Sequence, residues 1–202
     1  EVEILKSLQH ASKQPTSIPS IIYSLPSEFA IEPVGKAFRL EAFENTKDLR
    51  AALGDVVCAL EWVHNHNLVH RDVRADNLVL VRDRVCPDRS IRAVLIDFDR
   101  STVIGKTTTY EGGYICCPEE VLHKLFEGAG DAPHAPLDFI TYTPHPKHDF
   151  LAFVILLNQL LFPFIFQRYA YHLVEKVDTK EQRKLFDLWR SLKGSRVWGP
   201  IV

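Results

Sequence analysis

Methionine is absent from all 202 residues, so Glu1 is not expected to be a natural start. The opening "EVEILKSLQH" reads as the middle of a helix, and the chain is expected to be a fragment. Neither sign of charge dominates: 24 Lys plus Arg stand against 26 Asp plus Glu, a net charge of -2. Neither the basic face of a nucleic-acid-binding domain nor an acidic tail is indicated. Cysteine is scarce, and Cys58, Cys86, Cys116 and Cys117 form no CxxC pair; reduced thiols of an intracellular protein are expected. The pairs His64/His66 and His145/His148 lack the companion ligands of a zinc site. No secretory signal opens the chain. The one long apolar run, residues 150 to 166, falls short of the ~20 residues that span a bilayer. It also contains Asn158, Gln159 and Pro163 and follows Asp149, so a helix buried in a soluble core is expected there. There is no internal repeat.

What is present is an ordinary globular composition, 46% hydrophobic and 25% charged, long enough for one large domain or much of one. Val2, Ile4, Leu5 and Leu8 form a helical stripe. Two prolines and several hydroxyls in "ASKQPTSIPS" end it. "IIYSL" and "EFAIEPVG" read as two strands, the second stopped by Pro33. From Thr46, its expected N-cap, a helix places Leu49, Leu53, Val56, Val57, Leu60 and Val63 on one face and stops at Asn67. "NLVLV" and "IRAVLIDF" read as a hairpin. Residues 99 to 118 are a Thr- and Gly-rich loop, a short helix begins near Pro118, and a long loop with four prolines precedes the apolar helix from Asp149. A closing amphipathic helix is capped by Gly194.

The chemistry concentrates in "LVHRDVRADNLVL", residues 68 to 80, where two apolar runs enclose eight largely polar residues. Burying so many polar groups is costly unless something binds there. Asp72 and Asp97 each stand where an apolar run meets a loop, with Asn77 close behind Asp72. Asn77 and Asp97 supply oxygen donors of the kind magnesium takes, the ion completing its shell with water and phosphate. Asp72 is left over to accept a proton from an attacking hydroxyl. Arg74 can neutralise charge on a transferring group. Together these suit phosphoryl transfer.

On these residues the sequence resembles the eukaryotic protein kinases. "HRDVRADN" matches the catalytic-loop pattern HRDxxxxN, and "IDFD" resembles DFG with its glycine replaced. "EVEILKSLQH" looks like the αC helix, with its glutamate at Glu1. "AIEPVGKAF" looks like the hinge, where backbone around Glu32 and Val34 would face adenine. "CCPEEVL" stands where APE ends the activation segment, with Glu119 as its glutamate. "HDFLAFVILLNQLL" resembles the αF helix with its aspartate at Asp149. Within the family, the "EPVGK" hinge and "LIDFD" are similar to the divergent fungal protein kinases.

The resemblance implies an α+β protein-kinase-like fold. Residues 1–35 would be an N-lobe remnant and hinge, and residues 36–202 the C-lobe. It implies ATP and Mg2+ as cofactors and a protein substrate, Ser/Thr rather than Tyr, with no nucleic-acid or membrane partner. Asp72, Arg74 and Asn77 would be catalytic, Asn77 and Asp97 would hold metal, and Glu1, Glu32 and Val34 would serve the nucleotide. His70, Arg71, Phe98, Glu119 and Asp149 would be structural. His70 would pack under Phe98, with Leu5 extending the stack. Arg71 would receive a phosphate from an activation-loop hydroxyl, for which Thr107, Thr108, Thr109 and Tyr110 are candidates. Asp149 would accept hydrogen bonds from backbone near His70 and Arg71; the alternative is an exposed N-terminal helix cap.

Four features depart from the pattern. No Gly-rich loop and no strand lysine lie in these residues, so Glu1 is expected unpaired and the fragment alone inactive. Asp99 replaces the DFG glycine. Gly112 and Ile115 fall where Thr and Tyr usually precede APE. The stretch between Glu119 and Asp149 is longer than usual. A pseudokinase scaffold and a small-molecule kinase on the same fold are the alternatives. The set of Asp72, Asn77 and Asp97 disfavours the first, and Arg71 disfavours the second.

Overall fold

The computed structural model describes residues 1–10, 13–82, 89–112, 117–126 and 140–163, together with residues 187, 190, 191, 194 and 196. Cys86, Ile115, Cys116, most of the proline-rich loop and nearly all of the expected closing helix lie outside the described residues. Helices and small antiparallel sheets alternate, an α+β arrangement. The chain divides into two compact units, Glu1–Ile104 and Gly105–Val202.

In the first unit the apolar stripe at the chain's start becomes α1, Val2–Gln9, which buries Leu5 and Leu8. Strands β1, Ser20–Ser24, and β2, Phe29–Glu32, pair antiparallel, with an irregularity between Ile21 and Tyr23. Pro33 stops β2 as expected, since it offers no N–H to the ladder. The long helix α2 spans Thr46–Asn65 and buries Ala52, Val56, Ala59, Leu60 and Val63. Full burial of each larger side chain contributes about 1.5–3 kcal/mol. Its N-cap is Asn45, not the expected Thr46: Asn45 is extended, and its side chain accepts the Asp48 N–H at 2.8 Å. Thr46 is one residue too late to reach that amide and becomes the first helical residue.

Short strand β3, Lys36–Ala37, was hidden in the hinge sequence. It pairs with β5, Leu78–Arg82, which pairs in turn with β6, Ile91–Leu95, in register Leu78↔Leu95 through Arg82↔Ile91. Two-residue strands β4, Leu68–Val69, and β7, Thr102–Val103, also pair. Gly35 crosses β5 so closely that a Cβ there would lie 2.8 Å from Leu80 O and 2.9 Å from Val79 Cβ. Only glycine fits without a shift.

In the second unit, β8, Thr108–Thr109, pairs with β9, Thr141–Tyr142. The stretch expected as an open loop is thus partly paired. Tyr110, 1% exposed, donates its N–H to Ile140 O at 2.9 Å and stacks edge-on against Tyr142. Burial pushes the Cys117 thiol far above its ordinary range, against a hydrogen bond with Tyr110 that lowers it. Helix α3 is Glu119–Phe126, and α4 is Pro146–Leu161. Helix α4 starts three residues before Asp149, because Pro146 favours a first helical position and His145 caps it. His145 Nδ1 accepts the Lys147 N–H, while His148 Nδ1 accepts the His145 N–H at 3.1 Å. Asp149 is therefore not the cap, and at 1% exposure it is buried. Asn158, the polar interruption of the apolar run, is buried with Nδ2 donating to Val154 O at 3.0 Å. No helix among the described residues is long and apolar enough to cross a membrane.

Candidate active site

Strand β4 delivers residues 70 to 77 between two buried apolar anchors, Leu68–Val69 before and Leu78 after. His70 and Phe98 are both fully buried, with ring centroids 4.8 Å apart and planes at 73°. His70 Nε2 lies 3.1 Å from Ile96 O, and Nδ1 accepts the Asp72 N–H at 3.3 Å. A neutral ring with its proton on Nε2 satisfies both contacts. His70 thus ties the loop to the segment after β6, and the Ser101 hydroxyl adds a bond to its carbonyl at 3.5 Å. Leu5, 1% exposed, sits in the core of the same unit.

Asp72 is 1% exposed, with Arg74 and Asn77 beside it. Asn77 ends a 3-10 turn, Ala75–Asn77, that brings its amide back over Asp72. Nδ2 donates to both Asp72 O at 2.9 Å and Asp72 Oδ2 at 2.8 Å. Arg74 Nε lies 3.4 Å from Asp72 Oδ1, an ion pair without hydrogen-bond alignment, and Nη1 is 3.9 Å from Asp76 Oδ2. Arg74 is over a third exposed, so its attraction for Asp72 is screened by water.

Asp97 lies one residue beyond the end of β6, and the intervening Ile96 is bound to the loop: its N–H donates to Asn77 O at 2.9 Å. Arg71 and Asp97 are both left-handed, at φ 75° and 65°. Such a conformation costs a non-glycine residue of order 1–3 kcal/mol and persists where surroundings over-determine it. Both lie in the two motifs that drew attention in the sequence. Arg71 is buried, while Asp99 is exposed.

Glu1, expected to be unpaired, is not: its Oε1 accepts the Phe98 N–H at 3.2 Å. Burial raises the Glu1 carboxyl above its usual range; the Phe98 hydrogen bond opposes this, and the charges of Asp97 and Asp99 add to the rise. At the hinge, Glu32 closes β2 opposite Ser20, and Val34 is 91% exposed. Val34 also lines a cavity of about 720 Å³ with Gly35, Lys36, Leu80, Val81 and Ile91. None of Asp72, Asn77 and Asp97 lines that cavity. The two remaining expected residues lie in the second unit: Glu119 opens α3, with Oε1 3.6 Å from His123 Nε2, and Asp149 is buried in α4.

The oxygen-only donor pair of Asn77 and Asp97 fits a magnesium ion, which needs few protein ligands. The Asn77 amide is already oriented with its nitrogen occupied elsewhere. No group of three or more His, Cys, Asp or Glu among the described residues makes a metal cage. Sequence reasoning passed over Asp48 and Asp55, whose carboxylates bind the segment 89–93 from α2. Their only signal was two acids seven residues apart beside the apolar stripe of a helix.

Residues 7–117, more than half of the chain, match the family profile described as Fungal protein kinase. Over 86 residues, the chain is 28% identical to the Carbon catabolite-derepressing protein kinase of Candida albicans, covering 40% of this chain and 13% of that protein. Over 91 residues it is 33% identical to Ephrin type-A receptor 1 of Homo sapiens, covering 41% of this chain and 8% of the receptor. The chain thus spans a small part of these relatives' length. Among solved structures, the Cydia pomonella Granulovirus kinase PK-1 is similar in fold, with a TM-score of 0.55, 17% identity, and coverage of 79% of this chain and 54% of its own. The motif order, the fold and the match across both the hinge and the catalytic-loop hairpin agree: the chain belongs to the fungal protein kinase family.

Proposed function

We propose that residues 68–99 form the phosphoryl-transfer site of an ATP-dependent protein kinase acting inside the cell. Asp72 accepts the proton of the attacking hydroxyl, and Arg74 offsets negative charge beside it. Asn77 and Asp97 hold magnesium, which when bound would neutralise charge on the transferring group. Backbone at Glu32 and Val34 receives the adenine, and Glu1 borders the phosphates. His70, Arg71 and Phe98 keep the loop in shape. The observation that supports this assignment is the Asn77 amide, whose Nδ2 bonds to both the carbonyl and the carboxylate of Asp72 hold the two side chains of the loop together. Among the described residues Cys58 and Cys117 are in no disulfide, which is compatible with a reducing compartment.

The test is a pair of substitutions in the full-length protein. Asp97→Asn should weaken magnesium-dependent nucleotide binding measured by calorimetry. Asp72→Asn should spare binding and cut turnover by ~10²–10⁴. Turnover should be seen with Ser- and Thr-containing peptides in preference to Tyr. A wild-type protein with no magnesium-dependent nucleotide affinity would make the domain a non-catalytic binding module instead.

A further inference from the structure

Strand β6, which leads into Asp97, is the edge of its three-stranded sheet. An edge strand presents alternate N–H groups outward, away from its one neighbour. Two of those amides are taken. Leu95 N–H donates to Ser17 O at 2.9 Å, and Ala93 N–H donates to Asp55 Oδ2 at 2.9 Å. The other oxygen of Asp55, Oδ1, accepts from Arg89 Nη1 at 2.9 Å, with the Asp55 side chain 14% exposed. Two helical turns earlier on α2, Asp48 Oδ2 accepts the Ser90 hydroxyl at 3.0 Å. Just past the strand the chain is bound again, through Ile96 N–H to Asn77 O and Ile96 O to His70. Directly after Ile96, Asp97 takes its left-handed conformation.

We propose that Asp55 is a positioning residue for Asp97, acting through β6. A carboxylate accepting a main-chain N–H makes a charge-assisted bond, roughly twice as strong as a neutral one. It sits on the long helix α2, whose buried stripe fixes it in place. At about 3.4 Å per residue, Ala93 stands at most about 14 Å along the chain from Asp97. Between them the backbone has little freedom, because the ladder to β5 holds one side and Asp55 with Ser17 holds the other. Releasing Ala93 frees the strand's outer edge and removes part of what keeps Asp97 left-handed. The Arg89 bond serves Asp55 itself and lies on the loop side of the strand, so it is not part of this path. The assignment rests on the proposed magnesium role of Asp97.

The experiment uses the full-length protein, a non-hydrolysable ATP analogue and magnesium chloride. Affinity for the analogue is measured by calorimetry with and without magnesium for wild type, Asp55→Ala and Arg89→Ala. Amide hydrogen exchange across residues 91–98 is followed in the metal-free state. Asp55→Ala should lose about tenfold in the magnesium-dependent part of the affinity, as loss of a residue supporting a ligand typically does. Metal-free affinity should be unchanged, and exchange should rise at residues 93 to 97. Arg89→Ala should keep the wild-type magnesium dependence. In the Arg89→Ala background, Asp55→Asn should restore what Asp55→Ala loses, since its amide oxygen can still accept from Ala93. Wild-type magnesium dependence in Asp55→Ala would overturn the proposal, as would equal losses with and without the metal. If the wild type itself shows no magnesium dependence, the function assigned to Asp97 fails and the role of Asp55 falls with it.

Discussion

Replacing Asn77 by aspartate changes one nitrogen to oxygen in a side chain of nearly the same shape. The structure makes the consequence calculable. Asn77 Nδ2 donates to the Asp72 carbonyl at 2.9 Å and to its carboxylate at 2.8 Å, and both residues are buried. The variant places an acceptor against two acceptors. The lost bonds cost roughly 1 kcal/mol for the carbonyl and about 1.5–3 kcal/mol for the carboxylate. Two negative charges about 3 Å apart would repel by ~6 kcal/mol at an effective dielectric of ~20. The pair avoids much of that by sharing a proton, which costs about 1.4 kcal/mol for each pH unit above the ordinary aspartate value of about 3.9. The penalty is therefore small near pH 5 and grows towards neutrality. In the variant the folded pair binds its proton up to a pH well above the unfolded value. Folded molecules then hold more protons than unfolded ones, and stability falls as pH rises through that window. Chemical denaturation of wild type and Asn77→Asp at pH 5 and pH 7.5 should show destabilisation at both, larger at the higher pH by about 2 kcal/mol or more. A destabilisation below about 1 kcal/mol, or one independent of pH, would refute the doubly bonded amide.

Gly35→Ala should destabilise by about 1–2 kcal/mol, since the new methyl meets the Leu80 carbonyl and the Val79 side chain and the β5 ladder cannot yield; thermal melts should show a fall of several degrees. Asn67, left-handed at φ 61° just past α2, should accept glycine with little change, while Asn67→Val should cost about 1–2 kcal/mol in denaturant titrations. His148 is held below the ordinary histidine range mainly by burial, against Glu120 and Asp149, which raise it, while Lys147 and His145 lower it further. Its Nε2 lies 3.5 Å from Glu120 Oε1. Below about pH 6.5 the unfolded chain gains a proton that the folded chain resists, so stability is lost as pH falls, by up to about 1.4 kcal/mol per unit. His148→Asn should flatten that slope in melts between pH 7.5 and 5. These 202 residues expressed alone should show little phosphoryl transfer, for want of a Gly-rich loop and strand lysine; ATP turnover abolished by Asp72→Asn would contradict this.

The elements legible in the sequence were those with a strong period or a fixed motif. Helix α2 announced itself through Val56, Leu60 and Val63, all buried. Its other buried contacts, Ala52 and Ala59, carry too little side chain to stand out in a pattern. The hairpin of β5 and β6 followed from two apolar runs around a turn, and the family from the order of short motifs. The two-residue strands β3, β4, β7, β8 and β9 were invisible, because alternation needs at least four residues to register. At the site, spacing indicated which side chains matter but not how they meet. That Asn77 donates to Asp72, or that Glu1 accepts from Phe98, depends on where a 3-10 turn and a helix end fall in space. The left-handed backbones at Arg71 and Asp97 left no trace either, since nothing in those side chains demands them.

The burial of Tyr110 sets it apart from its hydroxyl-bearing neighbours. Four consecutive hydroxyls, Thr107 to Tyr110, look equivalent as modification targets in one dimension. In the folded unit Thr107 faces solvent with its hydroxyl 3.2 Å from that of Thr143, while Thr108 and Thr109 are committed to a strand. Tyr110 is sealed beneath Tyr142, its amide bound to Ile140. A modifying enzyme must draw several residues of its target into an extended, exposed shape. Doing so at Tyr110 would strip the partner strand from β8 and open the core, whereas Thr107 can be offered at far smaller cost. Were this segment modified, the short pairing of β8 with β9 would act as a filter, deciding by accessibility what residue type alone leaves undecided.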